Sequence, residues 1–467
     1  MVFRFSWTDA KIAVRDTSRA LEWLGVAFII PAILSGLFNE SITNTIVFIG
    51  SGILVWVIGR LLGIALRSTK EETQFKHAIF GVSLFWLVTS ILSALPFVLL
   101  NYLPWDSAIF ETMSAITTTG LTMVPNPSIL PSSLIFWRSL LSWIGGIGII
   151  VMALVGILTT YSRASKYIQA EGRGERLKPN IKNTIKQIWK IYLALTAIGI
   201  VLLLFAGMGF FDSVNYSMSA ISTTGFNTQY SSIAGYNNIW IEGVLLFITI
   251  LGATSFGIHY LFFGKKKWGA YFGDTQFRAV IVLSLAGSLL IFSQLGTLWE
   301  SVFQAIGGVT NGAFTLVAGS FSERGDFTML VLIVLAFIGG SAGSTSGGIK
   351  ISRCLILLKS VFWRIKQSIV GKEVFFARKF ERKPVSKEQV REISHFVILY
   401  AGIFLIGTAL LIFQGNAMND SLLESISAQS NAGMTAGITQ PDMPLDSKVT
   451  LIGLMWIGRL ELIPLLA

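Results

Sequence analysis

The chain contains 467 residues, of which 53% are hydrophobic and only 13% are charged, and its formal net charge at pH 7 is +11. Because soluble domains carry about 25% charged residues, this composition excludes an ordinary soluble globular protein. The surplus of Lys and Arg does not require nucleic acid, and we expect no such partner, since cytoplasmic loops of membrane proteins are also basic. The single cysteine, Cys354, excludes an intrachain disulfide.

Apolar runs long enough to cross a bilayer recur along the whole chain, so we predict an all-α polytopic membrane protein. The N-terminal stretch MVFRFSWTDAKIAVRDTSRALEW is too polar for a cleaved signal peptide. A first hairpin of two spans is followed by eight further spans. The ten predicted spans cover residues 21–37, 46–66, 78–101, 134–158, 189–210, 238–263, 279–297, 328–364, 394–414 and 447–467.

The distribution of Lys and Arg predicts the orientation of these spans. Three connecting stretches contain neither residue, namely 38–45, 101–137 and 206–240. Three others hold most of the basic residues, namely 160–190, 265–278 and 353–391. By the positive-inside rule the basic stretches are cytoplasmic, which also places both termini inside and the uncharged stretches outside.

Four segments repeat one pattern, in which an acidic residue and a Ser precede about ten residues and then a strip of small or hydroxyl residues. They read DSAIFETMSAITTTGLT from Asp106, DSVNYSMSAISTTGFNT from Asp212, ESVFQAIGGVTNGAFTL from Glu300 and DSLLESISAQSNAGMTA from Asp420. Since each lies between two spans, the chain is predicted to form an N-terminal hairpin and four pseudo-symmetric pore modules. The boundaries are 1–70 for the hairpin and 71–160, 161–264, 265–370 and 371–467 for modules one to four.

The short runs within these repeats predict re-entrant pore helices, because ten to twelve residues cannot cross about 30 Å of hydrocarbon. The acid–Ser pairs predict helix N-caps, and an acidic side chain suits the positive end of a helix dipole. Gln304 and Glu424, three residues after a Ser, predict capping boxes. Each pore helix then directs its negative C-terminal end inward, where a cation at the centre of four ends is stabilised.

The strips that follow are predicted to be non-helical backbone at membrane depth, which is tolerated only where protein buries it or where it lines a water-filled path. Gly permits the positive φ that turns a row of carbonyls one way, and rings of such carbonyls replace the hydration shell of K⁺ in potassium channels. A Gly/Ser seam for helix packing is the alternative for one strip, but four equivalent strips favour a filter. The predicted K⁺ filter residues are Thr118, Thr119, Gly120, Thr223, Thr224, Gly225, Thr310, Asn311, Gly312, Ala313, Asn431, Ala432 and Gly433.

A second Gly-rich stretch, GGSAGSTSGGIK at 339–350, interrupts the apolar segment 328–364, which is too long for one plain span. Gly and Ser make a continuous helix costly here, so the break is expected at mid-membrane and facing a cavity. A simple hinge that allows helix packing is the alternative.

These motifs resemble those of the membrane subunit of the Trk/Ktr potassium uptake family. The resemblance covers almost the whole chain, including the four strips, the stretch at 339–350 and the ending GRLELIPLLA, and the N-terminal hairpin makes it TrkH-like. It implies a homodimer in the bacterial inner membrane, surrounded by lipid, with a separate TrkA-like cytosolic subunit that binds nucleotides. The register puts Ala313 where the family usually has Gly, so either the backbone shifts by one residue or the third loop lacks that Gly.

The resemblance also implies that residues 339–350, which we call the gate loop, lie beneath the filter and block the pore until they move, and that Arg459 projects into the pore. An Arg in a span is otherwise expected to pair, or to extend to the inner surface. Lys350 is expected either to face the pore or to lie at the cytoplasmic rim. The predicted gate residues are Gly340, Gly343, Ser344, Thr345, Gly347, Gly348, Lys350 and Arg459.

The sequence predicts K⁺ transport and no enzymatic activity, since it contains no evident nucleophile with a paired base. The three His residues, at positions 77, 259 and 395, are too scattered to suggest a metal-ligand cluster. Two alternatives stay open: a sodium-permeable or ion-coupled cation symporter, and a membrane scaffold or receptor without a conducting path.

Overall fold

The computed structural model describes residues 6–67, 75–148, 181–230, 232–316, 320–370, 378–381 and 383–460. Within these ranges the structure is helical, apart from one antiparallel pair of two-residue strands, β1 (Lys379–Phe380) and β2 (Lys383–Pro384). The predicted all-α class is therefore confirmed. Six described helical segments are long and apolar enough to cross a membrane, and a bent pair of helices makes a seventh if it is one span.

The N-terminal hairpin consists of α1 (Trp7–Ala27), which continues after one residue into α2 (Ile29–Leu37), and α3 (Ile42–Ala65). The helix begins at Trp7, before the predicted start of the first span at residue 21, because the polar segment that precedes the apolar residues is helical as well. Ser6 and Asp9 form a capping box at this end: the Ser6 hydroxyl accepts from the Asp9 N–H, and the Asp9 carboxylate accepts from the Ser6 N–H.

Modules one and two follow the predicted order of span, pore helix and span. Module one contains α4 (Phe75–Ser93), α5 (Leu95–Leu99), α6 (Trp105–Ile116), the 3₁₀ turn Pro127–Ile129 and α7 (132–148). Module two contains α8 (Ile181–Phe205), α9 (Phe210–Ile221), the 3₁₀ turn Ser232–Tyr236, α10 (Ile239–Gly252) and α11 (Phe256–His259), which leads into a π-helical turn at Tyr260–Gly264. The continuation of the predicted span 134–158 past residue 148 lies outside the described residues.

Modules three and four have the same order, with the gate loop inserted in the second span of module three. Module three contains α12 (Ala270–Gly273), α13 (Thr275–Leu295), α14 (Leu298–Thr310), the 3₁₀ turn Phe321–Arg324, α15 (Asp326–Ile338) and α16 (Ile351–Val370). Module four contains α17 (Lys387–Phe413), α18 (Met418–Gln429) and α19 (Leu445–Arg459). Residues 461–467 of the last predicted span lie outside the described residues.

Two spans are broken rather than one. The gate loop separates α15 from α16, as the sequence predicts. The prediction of one continuous span at 238–263 was wrong, because the chain turns by 98° between α10 and α11. The residues at this turn are Gly252, Ala253, Thr254 and Ser255. Small and hydroxyl residues hold a helix weakly, and the carbonyls of this turn are bonded by the gate loop instead of by a continued helix.

The four pore helices are 12, 12, 13 and 12 residues long, which agrees with re-entrant rather than spanning helices. The predicted N-caps were wrong. Each helix begins before its acidic residue, which lies in the first turn, and none of the actual N-cap residues makes a side-chain capping bond. These N-cap residues are Pro104, Gly209, Thr297 and Ala417.

A buried lysine joins the last module to the first. Lys448, in the first turn of α19, is 4% exposed. Its ammonium donates to the Asp106 carboxylate at 2.6 Å and to the Ser107 hydroxyl at 2.9 Å, both at the start of α6. This ion pair connects module four to module one, so the first and the last module of the chain are in contact.

The hairpin packs through glycines, and this contact gives a stability prediction. A Cβ on Gly52 would lie 2.8 Å from the Gly25 carbonyl oxygen on α1, whereas one on Gly50 would meet nothing within 4 Å. Gly52→Val should therefore separate α1 from α3 and cost about 1–3 kcal/mol of unfolding free energy. Thermal unfolding in detergent measures this loss, with Gly50→Val as the matched control on the same helix. Equal melting temperatures for the two variants would contradict the packing.

Candidate ion-conducting site

The four pore helices end in the same backbone turn. Within two residues of the end of each helix, the chain has a residue with a left-handed φ. These residues are Thr118 at 57°, Thr223 at 56°, Asn311 at 55° and Asn431 at 54°. The next residue donates its N–H to a carbonyl five residues earlier, at 2.8–3.0 Å, in the pairs Thr119–Ser114, Thr224–Ser219, Gly312–Gly307 and Ala432–Ser427. This six-to-one bond is that of a Schellman motif, and its repetition shows that the four strips begin with the same turn.

This shared turn resolves the register of the third strip. Two residues after each left-handed residue lie Gly120, Gly225, Ala313 and Gly433. The three glycines have positive φ, at 97°, 86° and 69°, whereas Ala313 is not among the positive-φ residues. The backbone therefore does not slip by one residue to present Gly312. The third strip carries alanine at the equivalent position, with a different backbone conformation.

The four strips converge at these positions. A Cβ on Gly225 or on Gly433 would lie 2.4 Å from the Ala313 Cβ, and one on Gly120 would lie 2.9 Å from it. A Cβ on Gly120 would also lie 2.1 Å from the Thr224 carbonyl oxygen. The Ala313 methyl thus occupies space next to all three glycines, and no further side chain fits there. The filter loops, as we call residues 117–120, 222–225, 311–313 and 430–433, form one cluster.

Two asparagines connect the filter loops to one another. The Asn311 amide donates to the Ser430 carbonyl of the fourth loop. The Asn431 amide donates to the Thr119 hydroxyl of the first loop at 2.9 Å and to the Met455 carbonyl of α19 at 3.1 Å. Asn tolerates the left-handed backbone that these positions adopt, so one residue type provides both the turn and the cross-link.

In three modules, a polar side chain of the pore helix braces the strip through a hydrogen bond. The bonded residue is in each case a Thr that lies eleven residues later in the chain. Glu111 accepts from the Thr122 hydroxyl at 3.0 Å, Gln304 donates to the Thr315 hydroxyl at 3.0 Å, and Glu424 accepts from the Thr435 hydroxyl at 3.1 Å. Glu111 and Glu424 are fully buried. The capping-box prediction for Gln304 and Glu424 was therefore wrong, because these side chains bond the outer end of the strip.

Module two uses different residues for the same purpose. Asp212, in the first turn of α9, accepts from the Thr228 hydroxyl at 2.7 Å and from the Tyr236 hydroxyl at 2.6 Å. Tyr216, nine residues before Gly225, is fully buried and its ring lies 5.9 Å from the Phe314 ring of the third module. Packing between aromatic rings here accompanies the polar brace.

A buried arginine links modules one and two beside the filter loops. Arg138 of α7 is 2% exposed, and its Nε lies 2.7 Å from Oε1 of Glu111. Its guanidinium lies 4.3 Å from the centre of the Phe226 ring, directly after Gly225. A buried pair of this kind is costly to break, since removal of one partner leaves a desolvated charge. Sequence reasoning missed it and the braces, although the repeated eleven-residue spacing from Glu or Gln to Thr was a detectable signal.

The gate loop forms backbone hydrogen bonds with the turn between α10 and α11. The N–H groups of Ser341 and Thr345 donate to the carbonyls of Ala253 and Gly252, at 3.0 and 3.1 Å, and the Phe256 N–H donates to the Gly343 carbonyl at 3.0 Å. The Ser344 hydroxyl instead bonds within the loop, to the Ser341 carbonyl at 2.6 Å. We call residues 252–256 the seat of the gate loop. Both broken spans satisfy their exposed backbone groups by bonding to each other.

The gate loop also lies against the ends of two pore helices. The Thr345 hydroxyl donates to the carbonyl of Ile221, the last residue of α9, at 2.9 Å. A Cβ on Gly347 would lie 1.8 Å from the carbonyl oxygen of Ser430, directly after α18. Gly339 and Gly348 have positive φ and pack against each other, which closes the base of the loop. The loop therefore contacts the C-terminal ends of two pore helices, α9 and α18.

The two predicted basic gate residues are both buried. Lys350 is 2% exposed, has a φ of 81°, and donates its ammonium to the Ser346 carbonyl inside the loop, so it does not lie at the rim. Arg459 is also 2% exposed and donates to the carbonyls of Thr345 and Gly145, each at 3.0 Å. It therefore does not extend to the membrane surface. It connects the gate loop to α7.

Comparisons with known proteins agree with this architecture. A solved structure, the crystal structure of the potassium transporter TrkH from Vibrio parahaemolyticus, matches with a TM-score of 0.86 and 27% sequence identity, covering 98% of this chain and 97% of that one. An uncharacterized cation transporter of Methanocaldococcus jannaschii is 32% identical over 451 residues, which is 96% of this chain and 92% of the relative. The Trk system potassium uptake protein TrkH of Salmonella typhimurium is 29% identical and covers 88% of each chain.

A family model described as TrkH, cation transport protein, matches residues 45–467, which include all four pore helices, all four filter loops and the gate loop. With most of the chain covered, and with relatives and a solved structure that agree along nearly the full length, the chain belongs to the TrkH family of cation transport proteins.

Proposed function

We propose that the protein is the membrane subunit of a potassium uptake system and that K⁺ crosses the membrane through the four filter loops. The observation that carries this proposal is the convergence of four equivalent pore-helix ends on Gly120, Gly225, Ala313 and Gly433. Relatives named as potassium uptake proteins support the choice of ion. The protein is a transport subunit and not an enzyme.

The filter loops stabilise a partly dehydrated cation in two ways. Carbonyl oxygens of the strips take the place of water around the ion, as in potassium channels. The C-terminal ends of the four pore helices carry partial negative charge and lie next to the same point. Each pore helix has an acidic residue in its first turn, namely Asp106, Asp212, Glu300 and Asp420. Asp106 is paired with Lys448 and Glu300 with Arg324, so within the described part of the chain Asp212 and Asp420 are the two without a basic partner. These two add negative charge at the outer face, which raises the local concentration of cations.

The gate loop controls passage on the inner side. Hydrogen bonds of the gate loop with Gly252, Ile221 and Arg459 hold it in the seated position, and they support a position between the filter loops and the cytoplasmic side. Opening requires that these bonds be exchanged for others, or for water that enters the path. The arginine adds a positive charge to the closed path, and at low dielectric that charge raises the barrier to cations.

The remaining expectations are part of the same proposal. The subunit is multi-pass in the bacterial inner membrane, in contact with lipid, and forms a homodimer. A TrkA-like cytosolic subunit that binds nucleotides drives the gate loop from the cytoplasmic side. The hairpin and modules end at residues 70, 160, 264, 370 and 467.

A sodium-permeable or ion-coupled cation symporter is the alternative, and one observation favours it. Ala313 brings a methyl group and a non-glycine backbone to the third position, so the ring of carbonyls is not fourfold. An uneven ring distinguishes ions less sharply when selectivity depends on the number and field of the coordinating carbonyls.

The proposal is tested by transport with defined gradients. The purified chain in liposomes should carry K⁺ and show a reversal potential set mainly by the potassium gradient. A reversal potential that follows sodium, or a flux that requires a second ion, would favour the alternative. Growth rescue of a potassium-uptake-deficient strain at low potassium tests conduction in cells, and a protein that is inserted but neither rescues growth nor carries any cation would overturn the proposal.

The contact between Gly225 and Ala313 gives a prediction about selectivity. Gly225→Ser adds a side chain whose Cβ would lie 2.4 Å from the Ala313 Cβ, on a backbone with a φ of 86°. We expect the preference for potassium over sodium to fall by about tenfold, or about 1.4 kcal/mol. Uptake of both ions, measured side by side, gives this ratio.

The double variant Gly225→Ser with Ala313→Gly is the matched test of that contact. Removal of the Ala313 methyl relieves one collision, but a Cβ at position 225 would still lie 2.5 Å from the Ala313 Cα and from its carbonyl carbon, and the backbone strain remains. The preference should therefore return only in part. A double variant no more selective than Gly225→Ser alone would show that the Ala313 methyl contributes nothing to the loss of selectivity.

The Thr345 hydroxyl gives a prediction about gating. Thr345→Val keeps the shape of the side chain but removes the bonds to the Ile221 and Gly252 carbonyls. The Ile221 carbonyl then loses this donor, whereas the Gly252 carbonyl still accepts from the Thr345 N–H, so the seated position loses about 1–3 kcal/mol and the basal flux should rise. Ser344→Ala is the control, since that hydroxyl bonds only within the loop. If both variants leave basal flux at the level of the native protein, the seated loop is not the closed gate.

Arg459 gives a separate prediction. Arg459→Ala removes the charge and the connection between the Thr345 and Gly145 carbonyls, so cation flux should increase by more than in Thr345→Val. Flux is compared at equal amounts of inserted protein. Arg459→Lys keeps the charge but cannot bond both carbonyls in the same geometry, so its cation flux should lie between that of the native protein and that of Arg459→Ala. Normal flux in Arg459→Ala would remove this residue from the gate.

A further inference from the structure

A basic and aromatic segment follows the bent span of module two. Residues 265–272 begin with three exposed lysines, Lys265, Lys266 and Lys267, and contain Trp268 and Phe272, which are 75% and 77% exposed. Among the described residues no carboxylate pairs with these lysines. Two large aromatic side chains and three positive charges therefore lie together on the surface. We call residues 265–272 the basic segment.

The basic segment adjoins a surface that faces lipid. It packs against the start of α13, where the rings of Phe272 and Phe277 are 6.3 Å apart. Further along α13, a helix long and apolar enough to span the membrane, Val282 and Leu289 are 63% and 71% exposed. Trp and other aromatic residues at the end of such a face lie at the level of lipid headgroups, and lysines there reach the phosphates.

Two series of side-chain contacts connect the basic segment to the seat and to the gate loop. The first consists of hydrogen bonds. The Tyr271 hydroxyl lies 2.7 Å from Nδ1 of His259, which is fully buried, and Nε2 of His259 lies 2.9 Å from the carbonyl oxygen of Leu251. Leu251 directly precedes Gly252, whose carbonyl accepts from Thr345 of the gate loop. The tyrosine is thus two side-chain contacts away from the backbone that holds the loop.

The second route passes through the first turn of α13. The side chain of Gln276 accepts from the Ala342 N–H of the gate loop at 2.9 Å. One residue further on, Phe277 contacts both Tyr271 and Phe272 through their rings, and Asp274 caps the helix by accepting from the Phe277 N–H at 2.7 Å. A displacement of the basic segment therefore acts on the gate loop from two directions.

We propose that the basic segment binds the headgroups of anionic phospholipids in the cytoplasmic leaflet and that bound lipid holds the gate loop in its seat. The lysines match negative headgroups in charge, and the exposed aromatic side chains match the membrane interface in depth. A ligand that binds this arrangement stabilises it relative to any arrangement in which Tyr271 leaves His259. The gating half rests on the proposed function, whereas the binding half does not.

Lipid binding is measured first, without any transport. The full chain is purified and exposed to mixed micelles of phosphatidylglycerol and phosphatidylcholine, and the retained lipid is quantified. K265Q/K266Q/K267Q should lower the retention of phosphatidylglycerol by at least about tenfold, since each lysine near the surface contributes severalfold. The control K379Q/K383Q/K387Q removes three exposed lysines from β1, β2 and the start of α17, and this variant should retain phosphatidylglycerol. Equal retention by the two variants would overturn the site.

Flux then tests the coupling. In liposomes of phosphatidylcholine the native chain should show a higher basal flux than in liposomes that also contain phosphatidylglycerol. Tyr271→Phe removes the hydroxyl that contacts His259, so it should bind phosphatidylglycerol normally and yet show the high flux in both lipids. A Tyr271→Phe protein that still responds to phosphatidylglycerol would overturn the route.

Two further outcomes separate this proposal from others. If K265Q/K266Q/K267Q changes the oligomeric state instead of the lipid retention, the segment is a contact between two copies, and the lipid site is wrong. If the native chain retains phosphatidylglycerol through these lysines but transports no ion in any lipid, the binding half stands and the proposed function fails.

Discussion

Backbone that leaves the helix inside a membrane must have every polar group bonded by protein, water or ion, and most of this structure follows from that constraint. The four filter loops meet it with identical Schellman turns, and the two broken spans meet it by bonding to each other. The gate loop donates to the carbonyls of Gly252 and Ala253, and residue Phe256 of the seat donates back to Gly343. A polar group without a partner here would cost more than in water, so few alternative arrangements compete.

The four modules share a geometry but divide their tasks unequally. Modules three and four have Asn at the left-handed position, where modules one and two have Thr, and both asparagines bond a neighbouring module. Only the second and third modules have broken second spans among the described residues, and these two breaks form the seat and the gate loop. Repetition thus creates the cluster of filter loops, and departures from repetition supply the bonds between modules, the contact of the gate loop with its seat, and the uneven third position.

Sequence reasoning found what depends on local pattern. Repeated Gly strips after short helices located the filter loops, and a run of Gly and Ser in an overlong apolar segment located the gate loop. The bend at Gly252 was missed because its four small residues resemble an ordinary stretch of a span, and its cause is a distant loop. The hydrogen bonds of Arg459 could not be derived either, since its partners, Thr345 and Gly145, lie 114 and 314 residues away in the chain.

A structure determined with thallium, a monovalent cation with strong anomalous scattering, tests the ring most directly. Anomalous density should lie on the axis between the filter loops, within coordinating distance of backbone oxygens near Gly120, Gly225, Ala313 and Gly433. The third side should hold the ion less closely than the other three, because of the Ala313 methyl. Density confined to other parts of the protein, with none between these four loops, would contradict a single conducting ring formed by one chain.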